Sequence, residues 1–423
     1  MNKSRYFTPL LSAIFAAVLS LGLGVSARAA DSAKHTVSRQ IGKDLQQAQE
    51  DEKKGNYRDA LEKLDKANGY AKKTPWDQHV INALAISAYL KTKDYKGAIA
   101  PMEALATDGF TDPQEVKEIV RNLSVIQFQL KNYDKAIDNG ERALKGGFAD
   151  SNTYTILMQS YYLKGDYKSA LRFTTNRVDD EIKSGRTPSE QELLLIESSC
   201  EKLNNQQCLT HSFERLVTYY PKPEYWQNLI ITMYNSKEAE NNDSDMLNIY
   251  RLANDVGAMK QPREYNDMAQ LSLELGFPGE AQRVLEKAFA QNVFTDAQVR
   301  QRAQRLLDKA KKEAVSDQAS LPKLQQEAAN ASTGDKEVAL GTAYLSYQKY
   351  GQAVTALQQG IAKGGLKTPA QAKLLLGIAE LKAGNKDAAV KSFHDVKGDP
   401  VLERLANLWS VRAREQSGTV ASR

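Results

Sequence analysis

The chain is poor in the residues that usually carry chemistry. It holds only four histidines, His35, His79, His211 and His394, and none has a second metal-binding side chain at helical spacing. There is no HExxH, no phosphate-binding loop, no GxSxG and no dinucleotide fingerprint. Conventional catalysis is therefore not expected, and neither is a metal or an organic cofactor. Beyond the N-terminus no apolar run approaches the length of a membrane span. An excess of one charge is also missing: 57 Lys and Arg stand against 52 Asp and Glu, giving +5. Setting aside Lys3, Arg5 and Arg28 removes three positive charges and leaves +2. A surface so balanced gives no electrostatic case for nucleic acid or for anionic membrane. Charge runs such as Asp51-Glu52-Lys53-Lys54 read as solvated helix faces.

The basic residues at the N-terminus have another reading. Lys3 and Arg5 precede an uncharged apolar run from Leu10 to Val25, and Ala27-Arg28-Ala29 then supplies small residues before a cut next to Ala30. This pattern reads as a secretory signal peptide over residues 1–29, with an uncleaved anchor as the alternative. No cysteine follows the run, which excludes a bacterial lipoprotein anchor. The mature chain is expected to be exported, to the periplasm, without stable membrane insertion.

What the chain does have is a repeat. Gly55-Asn56-Tyr57-Arg58-Asp59-Ala60, Lys93-Asp94-Tyr95-Lys96-Gly97-Ala98, Lys131-Asn132-Tyr133-Asp134-Lys135-Ala136 and Gly165-Asp166-Tyr167-Lys168-Ser169-Ala170 share one phrase, with tyrosines 38, 38 and 34 residues apart. A period of this length means an array of helical units, with an extended surface in place of one central core. The Ala lets two antiparallel helices approach closely. The Gly or Asn before the Tyr permits the left-handed backbone that ends the first helix. The Tyr packs its ring on the hairpin while its hydroxyl reaches water.

The phrase weakens along the chain. Gly276 to Ala281 keeps the Gly and Ala but has Pro278 for Tyr, and Leu203 to Cys208 places Asn205 and Cys208 at the Tyr and Ala positions. Trp226, Leu229 and Tyr234 begin a first helix whose turn, Ser236 to Ser244, is too long for the period. The match returns with Leu340, Gly341, Tyr344, Tyr350, Ala353 and Leu357, and again with Leu376, Gly377, Gly384, Ala389 and Phe393. Joints between units pair an N-cap with Pro at the first helical position, as in Asp112-Pro113, Thr368-Pro369, Thr74-Pro75 and Thr187-Pro188.

These phrases resemble the tetratricopeptide repeat, a helix-turn-helix unit of about 34 residues. The resemblance implies an all-α, right-handed superhelical solenoid. It divides the chain into a long block over 30–310, a degenerate unit or joint over 311–334, a short block over 335–413 and a disordered tail over 414–423. In this family the first helices line a concave groove that holds a partner segment. Carried over unit by unit, the groove places are Arg121, Asn122 and Gln129, then Gln159, then Gln227, Asn228 and Asn235, then Asn266, Asp267 and Gln270, with Tyr162 and Tyr234 as flat apolar contacts. Amides donate and accept at once, so a row of them can pair with a peptide backbone without reading its sequence. The lysine-rich carboxylate clamp of some members is not seen, because Val125 and Gln159 interrupt its pattern.

The two cysteines, Cys200 and Cys208, flank the turn at Asn204-Asn205. An oxidising compartment permits a disulfide there; the alternative is two small buried residues, with Cys208 standing in for Ala. The expected function is a non-catalytic periplasmic scaffold or adaptor. It would bind a protein or peptide of the cell envelope in an assembly or transport system. A glycan or peptidoglycan binder is the alternative, for which Trp226 and the tyrosines only partly qualify, followed by an enzyme with an unrecognised site.

Overall fold

The computed structural model describes residues 35–235 and 242–416, so the expected signal peptide, most of the turn after Ser236 and most of the C-terminal tail lie outside the described residues. Within them the fold is all-α, with twenty helices and no strand. They form two compact units that divide at Arg177/Val178.

The first unit stacks four hairpins: α1 (Arg39–Lys53) with α2 (Tyr57–Asn68), α3 (Pro75–Lys91) with α4 (Tyr95–Leu105), α5 (Pro113–Gln129) with α6 (Tyr133–Lys145), and α7 (Ser151–Lys164) with α8 (Tyr167–Lys183), the last crossing the boundary. Each repeat phrase spans one turn. Its first residue is the left-handed one: φ is +80° at Gly55, +59° at Lys93, +62° at Lys131 and +89° at Gly165. The Asn or Asp that follows is not left-handed, contrary to expectation. It is the N-cap of the second helix, with φ −84° at Asn56, −82° at Asp94 and −84° at Asn132. The Tyr opens that helix, half-buried in every case. One turn later Ala60, Ala98, Ala136 and Ala170 are buried against the first helix. Contact there is close enough for Ser124 Oγ on α5 to donate to the Ala136 carbonyl on α6 at 2.8 Å.

The hairpins stack because each first helix serves two cores. Ile81 and Ala85 of α3 pack with Ile41, Leu45 and Leu64, while Ile86 packs with Met102, Ile119 and Leu123 of the next hairpins. Thr74 and Asp77 form a capping box at the start of α3, and the Asp77 carboxylate also accepts from the Ser38 backbone and hydroxyl at 2.9 and 2.6 Å. Burial would raise the Asp77 pKa, yet these donors hold it below the usual carboxylate range.

The second unit begins with α9 (Glu190–Lys202) and α10 (Gln206–Tyr219). Here the register differs from expectation. Asn204 is left-handed, Asn205 is the N-cap and Gln206 opens the helix, so Gln206 and Leu209 hold the Tyr and Ala positions, not Asn205 and Cys208. The cap of α9 also moves: Ser189 and Glu192 form its capping box, leaving Thr187-Pro188 outside the helix. Next come α11 (Pro223–Tyr234), α12 (Asp243–Asp255), α13 (Pro262–Glu274) and α14 (Pro278–Ala290). Pro278 opens α14 where Tyr opens the others, since the first helical position needs no N–H.

Residues 311–330 do not turn. They continue α15 (Ala297–Asn330), a single helix of 34 residues whose buried stripe of Ala303, Leu307, Ala310, Ala314, Leu321 and Ala328 is narrow and small. The array then resumes with α16 (Asp335–Ser346), α17 (Tyr350–Lys363), α18 (Pro369–Lys382), α19 (Lys386–His394) and α20 (Pro400–Gln416). Gly341 and Gly377 lie at helix crossings, where an added Cβ would come within 2.6 Å of Leu357 and 2.5 Å of Phe393.

The last helix does not simply cap the last hairpin. It also packs on α12 and α10, returning the end of the unit to its beginning. Arg412 bonds Asp255 Oδ2 at 2.9 Å and the Asp255 carbonyl at 3.1 Å, and Lys382 pairs with the same carboxylate. Arg404 pairs with Glu214 at 3.0 Å, and Asn248 donates to Gln371 at 2.8 Å.

The turn geometry yields a stability prediction. Lys93 and Lys131 occupy a conformation that costs a side-chain-bearing residue about 1 kcal/mol. Lys93→Gly and Lys131→Gly should each stabilise the first unit by up to about 0.5 kcal/mol, once the greater unfolded-state entropy of Gly is subtracted. Gly165→Ala should destabilise it. Urea denaturation of the three variants would check the signs.

Candidate functional site

The expected groove residues separate into three groups. Arg121, Asn235, Asp267 and Gln270 are engaged within the protein. Arg121 Nη1 donates to the Phe148 carbonyl at 3.1 Å, bracing the joint before α7. Asn235 Nδ2 donates to the Ile231 carbonyl at 2.9 Å, and Gln270 Nε2 donates to Glu274 at 2.9 Å. Asp267 accepts from Arg263 Nε at 3.1 Å.

A second group forms a polar cluster in the second unit. The Tyr234 and Tyr250 rings lie 4.8 Å apart, and Tyr250 Oη donates to Asp267 at 3.4 Å. Tyr234 Oη and Asn266 Oδ1 are buried without a hydrogen-bond partner among the described residues. Burial pushes the Tyr234 phenol far up, helped by the charges of Glu264 and Asp267, so it stays protonated and able to donate.

The third group is half-buried and uncommitted. Asn122 and Gln129 on α5, Gln159 on α7, and Gln227 and Asn228 on α11 make no hydrogen bond to another described residue. All five lie on first helices of hairpins; α5 and α7, from adjacent hairpins of the first unit, touch directly, and α11 belongs to the second unit. Tyr162 meets Tyr167 edge-on at 5.1 Å. Trp226 offers no ring face to a sugar, because it is buried at 2% exposure.

Within the second unit a cavity of about 480 Å³ lies among α12–α14, α16–α18 and α20. Its apolar wall includes Met268, Val284, Leu345, Ile378 and Trp409; its polar wall includes Arg251, Arg283, Lys287, Lys382, Asp255, Glu280 and Glu286. Arg251 and Glu280 form a buried bidentate pair, with contacts of 3.0, 3.1 and 2.7 Å. Burial would raise the Glu280 pKa, but Arg251, with Arg283 nearby, holds it below the usual range.

Cys200 and Cys208 are joined in a disulfide with Cα atoms 5.5 Å apart. The bond links the last turn of α9 to the first turn of α10, across a hairpin that lacks the usual Tyr and Ala. Also on α9, burial and the neighbouring Glu201 push the Glu197 carboxyl up to about 7.

The sequence reading passed over one group of side chains. His35 and His79 both stack on Trp76, at 5.0 and 4.7 Å, and Phe110 packs edge-on against Trp76 at 5.6 Å. His79 Nδ1 lies 2.7 Å from Asp108, whose carboxylate also accepts from the Phe110 and Thr111 backbone. Trp76 and His79, three apart at the start of α3, were the available signal. Among the described residues no group of three or more His, Cys, Asp or Glu could hold a metal ion, and no helix is long and apolar enough to cross a membrane.

Residues 338–399 match the family model of the tetratricopeptide repeat. No curated protein is similar enough in sequence to count as a match. Among solved structures, the chain is similar to a tetratricopeptide repeat protein from Parabacteroides merdae, at 12% identity and TM-score 0.29, covering 78% of this chain and 98% of that one. It is also similar to the TPR2AB domain of yeast Sti1 in complex with pHSP90, at 11% identity and TM-score 0.25, covering 73% and 98%. The pentatricopeptide repeat protein PPR10 from maize aligns at 14% identity and TM-score 0.31, covering 86% of this chain and 51% of that one. The matched segment coincides with α16–α19, where Gly341 and Gly377 lie at close helix crossings.

Glu197 supplies a pH prediction. Its folded pKa of about 7 exceeds the unfolded 4.5, so the folded state holds the proton more tightly. Stability should therefore fall as pH rises from about 4.5 to 7 through this group, costing up to about 3 kcal/mol above that window. Glu197→Gln should stabilise the protein by that amount at pH 8 and lose its advantage below pH 4.5, as read by urea denaturation at both pH values.

Proposed function

We propose that the chain is an exported, periplasmic scaffold without catalytic activity, which binds an extended or helical segment of a cell-envelope protein. Tetratricopeptide repeat proteins bind protein partners, and the repeat is matched over residues 338–399. The observation that carries the reading is the set of uncommitted amides. Asn122, Gln129, Gln159, Gln227 and Asn228 are half-buried on first helices with no hydrogen bond to another described residue. A half-buried amide without a protein partner is available to a peptide backbone or to the water it displaces. Binding of this kind spreads modest affinity over several units.

Export is supported by the N-terminal pattern of Lys3, Arg5 and the apolar run, together with the Cys200–Cys208 disulfide. Not all of the expected groove side chains are available to a partner. Asn235 and Gln270 already bond within their own helices, and Arg121 braces a joint, which leaves Asn122, Gln129 and Gln159 of the first unit as the residues to test. Affinity capture of the mature chain from a periplasmic extract should yield an envelope protein. Replacing those three amides by Ala should weaken the purified complex by on the order of tenfold or more, at about 0.5–1.5 kcal/mol for each lost pair. An unchanged Kd would reject the groove, and a full-length, unprocessed chain in the cytoplasmic fraction would reject the location.

A further inference from the structure

The cavity in the second unit carries a charge imbalance that its own side chains do not resolve. Each of its three carboxylates has a cation: Glu280 has Arg251, Asp255 has Lys382 and Arg412, and Glu286 has Lys311 at 3.2 Å. Arg283 and Lys287 are different. Arg283 Nε donates to the Ser346 carbonyl at 3.0 Å, and Lys287 Nζ donates to the Asn254 carbonyl and Oδ1 at 3.2 and 2.6 Å. Both bond only neutral oxygens. They stand four residues apart on α14, which puts their Cβ atoms about 6 Å from each other on one helix face.

Two part-buried cations that bond no carboxylate directly are costly, even with Glu280 near Arg283 and Asp255 near Lys287. Burial, together with the nearby Lys382, pushes the Lys287 pKa down despite the proximity of Asp255. An anion would remove that penalty. Arg283 retains guanidinium N–H groups for a carboxylate, whose two oxygens match their fork. A third donor is close: Trp409 lines the cavity at 1% exposure, and its Nε1 has no hydrogen-bond partner. The remaining wall is aliphatic, formed by Met268, Val284, Leu345 and Ile378. A volume of about 480 Å³ suits a small molecule better than a protein segment.

We infer that this cavity is a binding site for a short dicarboxylate, one carboxylate on Arg283 and the other on Lys287, with its carbon chain against the aliphatic wall. The site is separate from the amides proposed to hold a protein partner. Because the cavity is walled by both α14 and α20, an occupied site ties the returning C-terminal helix to the middle of the unit. Ligand binding should therefore raise the melting temperature.

The test is titration calorimetry and thermal melting of the purified mature protein with succinate, succinamide and inorganic phosphate as probes. Succinate should bind with Kd on the order of 1 mM or tighter and raise the melting temperature, while succinamide is silent. Lys287→Gln, at a half-exposed side chain, should weaken succinate about tenfold and so should Arg283→Lys, which keeps the charge but loses the fork. Trp409 fluorescence should change on addition of succinate in the parent protein, and the change should vanish in Trp409→Phe. Absence of succinate binding, equal binding of phosphate, or undiminished affinity in Lys287→Gln would each overturn the assignment.

Discussion

Nearly every hairpin in this protein depends on a close approach of two helix backbones, and a small residue at the crossing is what allows it. Ala60, Ala98, Ala136, Ala281, Ala353 and Ala389 are all buried at the same step after a turn. Gly341 and Gly377 carry the approach further, to distances at which even a methyl group would strike Leu357 or Phe393. Interiors are close-packed, so this spacing is not adjustable. The turn that precedes it follows from the same requirement. A left-handed residue and an N-cap precede each of these alanines, and the next position is a half-buried Tyr at Tyr57, Tyr95, Tyr133 and Tyr350 but Pro278 on α14 and Lys386 on α19. Loss of Tyr and Ala at α9–α10 coincides with the one covalent cross-link, which spans that turn.

Polar groups do a different task in the two units. In the first, carboxylates such as Asp77 and Asp108 accept from backbone groups at joints and fix the angle between one hairpin and the next. In the second, ions join helices that are remote in the chain. The buried Arg251–Glu280 pair is satisfied on nearly every donor and acceptor, with Asn248 taking Nη1 at 2.9 Å. Complete satisfaction is what makes a buried pair tolerable, and removal of one partner would leave a stranded charge. Asp255 gathers Lys382 and Arg412 at the end of α12, where the helix carbonyls also favour cations. Against this, Asp245 is pushed up to about 6 by burial and by the like charge of Asp399. Closure therefore sets favourable and unfavourable charges side by side.

The hairpins were legible in the sequence because a local phrase encodes them. Tyr, Ala and the residue before the N-cap all act within six positions, and periodicity carries the phrase along the chain. Where the phrase decays the reading slips. At Cys208 two adjacent asparagines offered two registers, and only the backbone shows that Asn204 is left-handed and Asn205 caps the helix. Thr187-Pro188 misled for the same reason, since Ser189 two residues later had the Glu192 needed for a capping box. The availability of the expected groove residues was not legible, because whether Gln270 is free depends on Glu274 one turn away. The cavity and the closure were not legible at all. Arg404, Arg412, Asp255 and Gln371 each look like ordinary solvated helix residues, and nothing local announces a partner more than a hundred residues distant.

An open helical array is indifferent to its own length. Its stability is a sum over neighbours, so units can be duplicated or deleted with little penalty beyond the local joint. The second unit has given up that freedom. Since α20 returns to α12 and α10, adding or removing one hairpin between them would carry Arg404 and Arg412 away from Glu214 and Asp255. The number of repeats is thereby fixed by geometry. Folding is affected as well: contacts that span 157 residues must wait for everything between them, so closure belongs to the end of the folding reaction while the hairpins belong to its beginning.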